Sequence, residues 1–235
     1  MGADQIRRLH RGALAVVAVL SLGACSSALG RGNGSGGGVG SDGATSIGAG
    51  DLATQLDSLP TADLSAGQEA GLLQMLEEEK LAHDVYVALA DQWQLQVFDN
   101  ISSAEQTHTD AVGVLLERYG LADPSAGRAA GEFSNADFGA LYTSLVAQGR
   151  LSLVDALTVG ATIEDLDIAD LQALATDAPD IALVYSNLER GSRNHLRAFT
   201  KQLDKNGASY TPTHISQADY DAIVSTGTER GNGSD

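Results

Sequence analysis

A single cysteine, Cys25, stands in the whole chain, so no intramolecular disulfide can form and no cysteine-based zinc or iron–sulfur site can be built. Any bound metal must sit on oxygen and nitrogen donors. Aromatic residues make up only 5% of the sequence and prolines number 4, while Ala and Leu recur throughout, so strand formers are scarce and helix formers dominate. Basic residues are scarce too. The 14 Lys and Arg face 31 Asp and Glu, a net charge of −17, which opposes binding to nucleic acid phosphates or anionic lipid headgroups. Nucleic acid is excluded as a partner on that ground. With 43% apolar residues over 235 positions, the chain reads as an all-α protein with one well-cored domain.

The N-terminus reads as an address. Arg7, Arg8 and Arg11 form a basic region, and Ala13 to Leu22 form an apolar run too short to span a bilayer comfortably. The run ends in Leu22-Gly23-Ala24-Cys25, which resembles the lipobox of bacterial lipoproteins, where cleavage leaves the cysteine as a lipidated N-terminus. Residues 1–24 are therefore expected to be a signal peptide and Cys25 a lipidation site. The protein would be exported and held at a membrane, periplasmic or at the cell surface, by that anchor alone. An ordinary secretory signal cleaved after Ala24 is the alternative, and it leaves the lone cysteine unexplained. Ser26 to Gly50 is Gly-rich with few apolar residues, so residues 25–60 read as a flexible tether, with a random-coil span of roughly 25 to 30 Å for the Gly-rich part. Loss of residues 1–24 leaves 11 basic against 30 acidic residues.

Beyond the tether, residues 66–207 break into helical segments by periodicity and punctuation. The first runs from near Ala66 to the Asp91 region with the apolar stripe Leu72, Met75, Leu76, Ala82, Tyr86, Leu89 and Trp93. Glu79 falls on that stripe, whereas Glu77 and Glu78 are expected to point to solvent. The second ends at Tyr119-Gly120, and its stripe of Ile101, Ala104, Ala111, Val112, Leu115 and Tyr119 is interrupted by Glu105 and His108. A short helix over Phe133 to Gln148, capped by Ser134 or Asn135, precedes a longer one capped by Ser152. In that third stripe Leu153, Leu157, Gly160, Ala161, Ile168, Leu171 and Leu174 flank Glu164. Gly160 costs a helix about 1 kcal/mol against Ala, so a close approach is expected there. The fourth helix starts at Pro179 and reaches about Lys205. His195 and Ser192 interrupt its stripe of Ile181, Val184, Tyr185, Leu188, Ala198, Phe199 and Gln202 or Leu203. Residues 208–235 read as a C-terminal extension with a short helix capped by Ser216 and a disordered tail beyond Ser225.

Each long helix thus carries a group able to bind metal on its core face. Taken singly, a Glu or His on an apolar stripe is more often a hydrogen-bonded core residue than a ligand. Three facing carboxylates, however, repel one another and take up protons unless a cation lies between them. The spacing of Glu105 and His108 puts both on adjacent turns of one face. A Glu from each of two helices and a Glu-x-x-His from each of two others is the ligand plan of ferritin-like di-iron carboxylate proteins.

Three stretches carry a more specific likeness: Glu77-Glu78-Glu79-Lys80-Leu81-Ala82-His83-Asp84-Val85-Tyr86, Val159-Gly160-Ala161-Thr162-Ile163-Glu164-Asp165-Leu166-Asp167-Ile168, and Gly191-Ser192-Arg193-Asn194-His195-Leu196-Arg197. From about Gln68 to Val224 the chain resembles the DUF2202 family. The resemblance implies a ferritin-like four-helix bundle with a short extra helix between the second and third helices and a short C-terminal one. It implies Glu79, Glu105, His108, Glu164 and His195 as metal ligands, and iron as the cofactor, two ions or one. Ser192 departs from the pattern where a second Glu-x-x-His would put glutamate, and manganese or zinc would suit the same donors. His83 and Asp167 read as supporting residues, His83 as a partner for a core carboxylate. Tyr86 and Tyr185 read as residues that line the site or pack the core, and Glu189 reads as a solvated charge. The activity implied is oxidation by dioxygen or peroxide, of the ferroxidase or oxidase type, and the alternative is a metal-sequestering or structural bundle without turnover. The partners expected are metal ions and the oxidant, with a homodimer as the further assembly to be considered.

Overall fold

The computed structural model describes residues 38–40 and 43–230. The leader 1–24 and Cys25 lie outside the described residues. Two short strands, β1 (Gly38–Val39) and β2 (Thr45–Ser46), pair antiparallel with Val39 opposite Thr45. Seven helices follow among the described residues: α1 (Ala49–Asp57), α2 (Ala66–Trp93), α3 (Gln96–Arg118), α4 (Ala136–Gly149), α5 (Leu153–Ala173), α6 (Pro179–Lys205) and α7 (Gln217–Ser225). The all-α expectation stands, and α4 and α7 lie where the sequence places them.

Local chemistry sets the helix starts. Ser65 accepts from the Gln68 N–H at 3.2 Å while Gln68 Oε1 accepts from the Ser65 N–H at 2.9 Å, a reciprocal cap on α2. Asn135, Ser152 and Ser216 cap α4, α5 and α7 by accepting from the backbone N–H groups of Asp137, Asp155 and Asp219. Pro179 opens α6, where a missing N–H costs nothing.

The four long helices pack as neighbours, α2 on α3, α5 on α6, α3 on α6 and α2 on α5. The chain crosses from the end of α3 to the start of α5 through α4, which lies on α2 and α5. The buried apolar residues fall into two clusters. One gathers Tyr86, Leu89, Phe98, Ile101, Leu157 and Phe199, and the other gathers Leu72, Met75, Val112, Leu115, Leu171 and Leu188. The turns between them, around residues 77–79, 105–108, 164–167 and 192–195, form a polar layer inside the protein.

Three expectations are corrected here. Glu77 and Glu78 do not face solvent. Both are buried: the crossover segment covers Glu77, whose carboxylate accepts from the backbone N–H groups of Ser134 and Asn135, and Glu78 lies against α5 near Asp170. The end of the Gly-rich stretch is structured. Leu52 and Leu56 of α1 are buried, α1 packs on α3, and the Ile47 N–H donates to Thr107 Oγ1 at 3.0 Å, so apolar burial outweighs the local flexibility of glycine. Residues 226–230 are tied down as well: Glu229 accepts from Arg193 at 2.9 and 2.6 Å and from Arg197 Nη2 at 2.7 Å.

Candidate metal centre

Helical period brings Glu79 from α2, Glu105 and His108 from α3, Glu164 from α5 and His195 from α6 into the polar layer, each at most 2% exposed. Glu105 is central. Its Oε2 lies 2.7 Å from His108 Nδ1 and its Oε1 lies 2.9 Å from His195 Nδ1. Glu79 Oε2 approaches His108 Nδ1 to 3.3 Å, and Glu164 Oε2 approaches His195 Nδ1 to 3.6 Å. Two trios result, Glu79 with Glu105 and His108, and Glu105 with Glu164 and His195. Within each, one donor atom per residue lies within 4.8 Å of the others. The imidazole rings stack with centroids 5.4 Å apart.

The donors aim at shared space more than at one another. Both Nδ1 atoms and Glu79 Oε1 are buried without a hydrogen-bond partner, although carboxylate oxygens surround each nitrogen closely. Buried polar atoms rarely stay unpaired in native proteins. The residues therefore fit a bound cation, and the two trios are candidate metal sites.

The electrostatics split the three carboxylates. Burial would raise Glu105, but the facing His195 and His108 outweigh it and hold this carboxyl well below the usual range. Burial pushes Glu79 up to about 7 against the pull of His108. Glu164 rises to about 7 through burial and the nearby Glu105 charge, again against its own histidine. Burial would lower His195, yet Glu105 and Glu164 push it up to about 9, while the Thr45 N–H aimed at Nε2 opposes a proton on that nitrogen. His108 is likewise raised, because Glu105 and Glu79 outweigh its burial.

Surrounding groups fix these side chains. Tyr86 Oη donates to Glu164 Oε1 at 2.6 Å, so this tyrosine touches the site as well as packing the core. Tyr185 does not touch it. It stands at the far end of α6 in the wall of a surface cavity. Gly160 and Gly191 are there for close approach: a Cβ at Gly160 would meet Phe199 Cε1 at 2.5 Å, and one at Gly191 would meet His108 Cε1 at 2.5 Å. Ser192 donates to Asp167 Oδ2 and to the Leu188 carbonyl, which places Asp167 beside the site as a supporting group. His83 is not the partner of a core carboxylate. Its Nδ1 meets the Ser102 carbonyl at 2.9 Å, between neighbouring helices. Glu189 pairs with Arg193 at 3.0 Å on the protein rim.

Sequence reasoning missed Thr45. Its N–H donates to His195 Nε2 at 3.0 Å, His108 Nε2 donates to its carbonyl at 2.9 Å, and Asn194 Nδ2 donates to its hydroxyl at 2.9 Å. Backbone groups made these two imidazole contacts, so residue type gave no signal.

The family description "Uncharacterized protein domain (DUF2202)" matches residues 68–227. The chain belongs to the DUF2202 family. It is 53% identical over 178 residues to uncharacterized protein MJ0754 of Methanocaldococcus jannaschii, covering 75% of this chain and 96% of that one. The crystal structure of hypothetical protein MJ0754 superposes with a TM-score of 0.72 over 73% of this chain and 99% of that chain. The DUF2202 match takes in all five candidate ligands, whereas Thr45 and α1 precede it.

Proposed function

We propose that Glu79, Glu105, His108, Glu164 and His195 hold two metal ions, iron first among them, inside a ferritin-like four-helix bundle, and that the loaded centre reacts with dioxygen or peroxide as an oxidase or ferroxidase. The observation that carries this reading is the shared carboxylate. Glu105 offers one oxygen to each histidine, and each half adds one glutamate of its own. Bound ferrous ions would supply the electrons for reduction of the oxidant.

The chain's own residues have definable tasks. Glu79 and Glu164, both raised by burial, shed their protons to become ligands. Tyr86 keeps Glu164 Oε1 oriented through its hydroxyl. Tyr86, Phe98 and Phe199 pack with ring centroids 5.2 to 6.4 Å apart and exclude water from that side.

Ser192 favours a second reading, metal sequestration without turnover. Its hydroxyl is committed to Asp167 and to backbone, so the set stays at three carboxylates and two imidazoles. Manganese or zinc suits these donors equally. The reading also places the centre in an exported protein anchored through Cys25, which mass spectrometry of the N-terminal peptide from a membrane fraction would test.

Protein purified without chelator, loaded anaerobically with ferrous iron and then exposed to air decides between the two. Two irons per chain with a charge-transfer band growing on exposure support the oxidase. Stable ferrous binding without oxidation supports sequestration. Absence of binding removes both.

A further inference from the structure

The candidate metal centre is closed on two sides. The Tyr86, Phe98 and Phe199 rings, all fully buried, fill one end, and the Thr45 backbone covers the imidazoles from α3 and α6. On the remaining side, between α2, α5 and α6, acidic groups continue beyond the ligands. Helix α5 carries Glu164, Asp167 and Asp170 at three-residue intervals, about 4.5 Å of rise per step. Helix α2 adds Glu78 beside Glu79, and Gln74 one turn earlier. Glu78, Asp167 and Asp170 are 2%, 6% and 4% exposed.

These groups form a connected series. Steps of three residues keep Glu164, Asp167 and Asp170 near one face of α5, and Glu78 stands one turn after Gln74 on α2, which packs on α5. Ser192 holds Asp167 Oδ2, but Asp167 Oδ1 and both oxygens of Glu78 are buried without a hydrogen-bond partner. Gln74 Nε2 donates to Asp170 Oδ2 at 3.2 Å. Beyond that turn lies a surface cavity of about 470 Å³ with Gly71, Leu174, Asp177 and Tyr185 in its wall. Gly71 and Leu174 stand about one turn beyond Gln74 and Asp170 on their helices, so the cavity adjoins the end of the series. Buried carboxylate oxygens left without donors destabilise a fold, and Asp167 Oδ1 and the two Glu78 oxygens call for a cation that visits them.

We infer that Glu78, Asp170 and Asp167 form a loading route along which divalent cations pass from this cavity to the candidate metal centre. The inference rests on the reading of the five residues as metal ligands. A resident third ion is not implied. Among the described residues only the two trios bring three donors within 4.8 Å, and a series of weaker contacts suits passage, where binding must permit entry and release.

The test is stopped-flow uptake of cobalt(II) by the full metal-free chain, followed by the visible absorption of the bound ion. Asp170→Asn and Glu78→Gln each replace a buried carboxyl by an amide of nearly equal volume, and circular dichroism checks that helicity is kept. The expected result is uptake slowed tenfold or more in each, with the final band shape and amplitude of the unsubstituted protein. Unchanged rates in both overturn the route. A changed band or a lower final amplitude makes the residues ligands, which also overturns it. If the unsubstituted protein takes up no cobalt, the metal-centre reading falls and the route falls with it, a result distinct from both.

Discussion

Glu105 Oε2 and His108 Nδ1 lie 2.7 Å apart on successive turns of one helix, and the other oxygen of the same carboxylate lies 2.9 Å from His195. One glutamate thus faces two buried imidazoles, while Glu79 and Glu164 are held up near 7. Removing different carboxylates should therefore have opposite consequences. Glu105→Gln in the metal-free protein is expected to lose about 3 kcal/mol, the cost of breaking a buried charge pair. Glu79→Gln should change stability by less than about 1 kcal/mol, because it removes a repelled group. Urea unfolding of both variants measures this, and equal losses would contradict the assignment. Glu105→Ala should in addition abolish metal uptake.

Gly191 touches the site without offering a donor. A methyl group there would sit 2.5 Å from His108 Cε1 and 2.8 Å from its Nε2, so Gly191→Ala must push the ring away from Glu105 and Thr45. The expected outcome is about half the metal stoichiometry, or less, with helicity retained, read by metal analysis and circular dichroism. Gly160→Ala presses on Phe199 instead and should cost about 1–3 kcal/mol through overpacking, despite the better helix propensity of alanine.

The C-terminal tether gives a pH prediction. Burial would raise Glu229, but Arg193 and Arg197 outweigh it and hold the carboxyl at about 2, below its ordinary value of 4.5. A lowered folded-state value means that the contribution is complete above about pH 4.5 and disappears as pH falls through 2. The group is partly exposed, so screening limits the contribution to about 1 kcal/mol. Glu229→Gln should be less stable by that amount at pH 7 and indistinguishable from the unsubstituted protein near pH 2. A constant difference across that window would contradict the assignment.

Much of this architecture was readable in advance because it rests on period and punctuation. Ser152, Pro179 and Ser216 mark helix starts by residue type, and Glu79, Glu105, His108, Glu164 and His195 announce themselves by breaking apolar stripes. The misreadings have a common origin. Glu77 and Glu78 look solvent-facing on a single-helix projection, and only the crossover and the neighbouring α5 bury them. Thr45, α1 and Glu229 act through long-range contacts made by backbone or by short motifs in segments whose composition resembles linker. His83 sits on the right stripe but meets a carbonyl of the adjacent helix, a choice that depends on the crossing of α2 and α3.

Thr45 gives its N–H to one imidazole and its carbonyl to the other, and this assigns the ring protons. In the neutral ring His108 carries its hydrogen on Nε2 and turns the Nδ1 lone pair toward the space it shares with Glu105. His195 spends its Nε2 lone pair on the Thr45 N–H, so in the neutral ring the hydrogen rests on Nδ1. Two halves that look alike by donor count are thus unlike in their proton inventory. With both rings neutral, the half built on His108 presents its lone pair directly, whereas the half built on His195 accepts an ion only as a hydrogen leaves Nδ1 or the Thr45 contact opens.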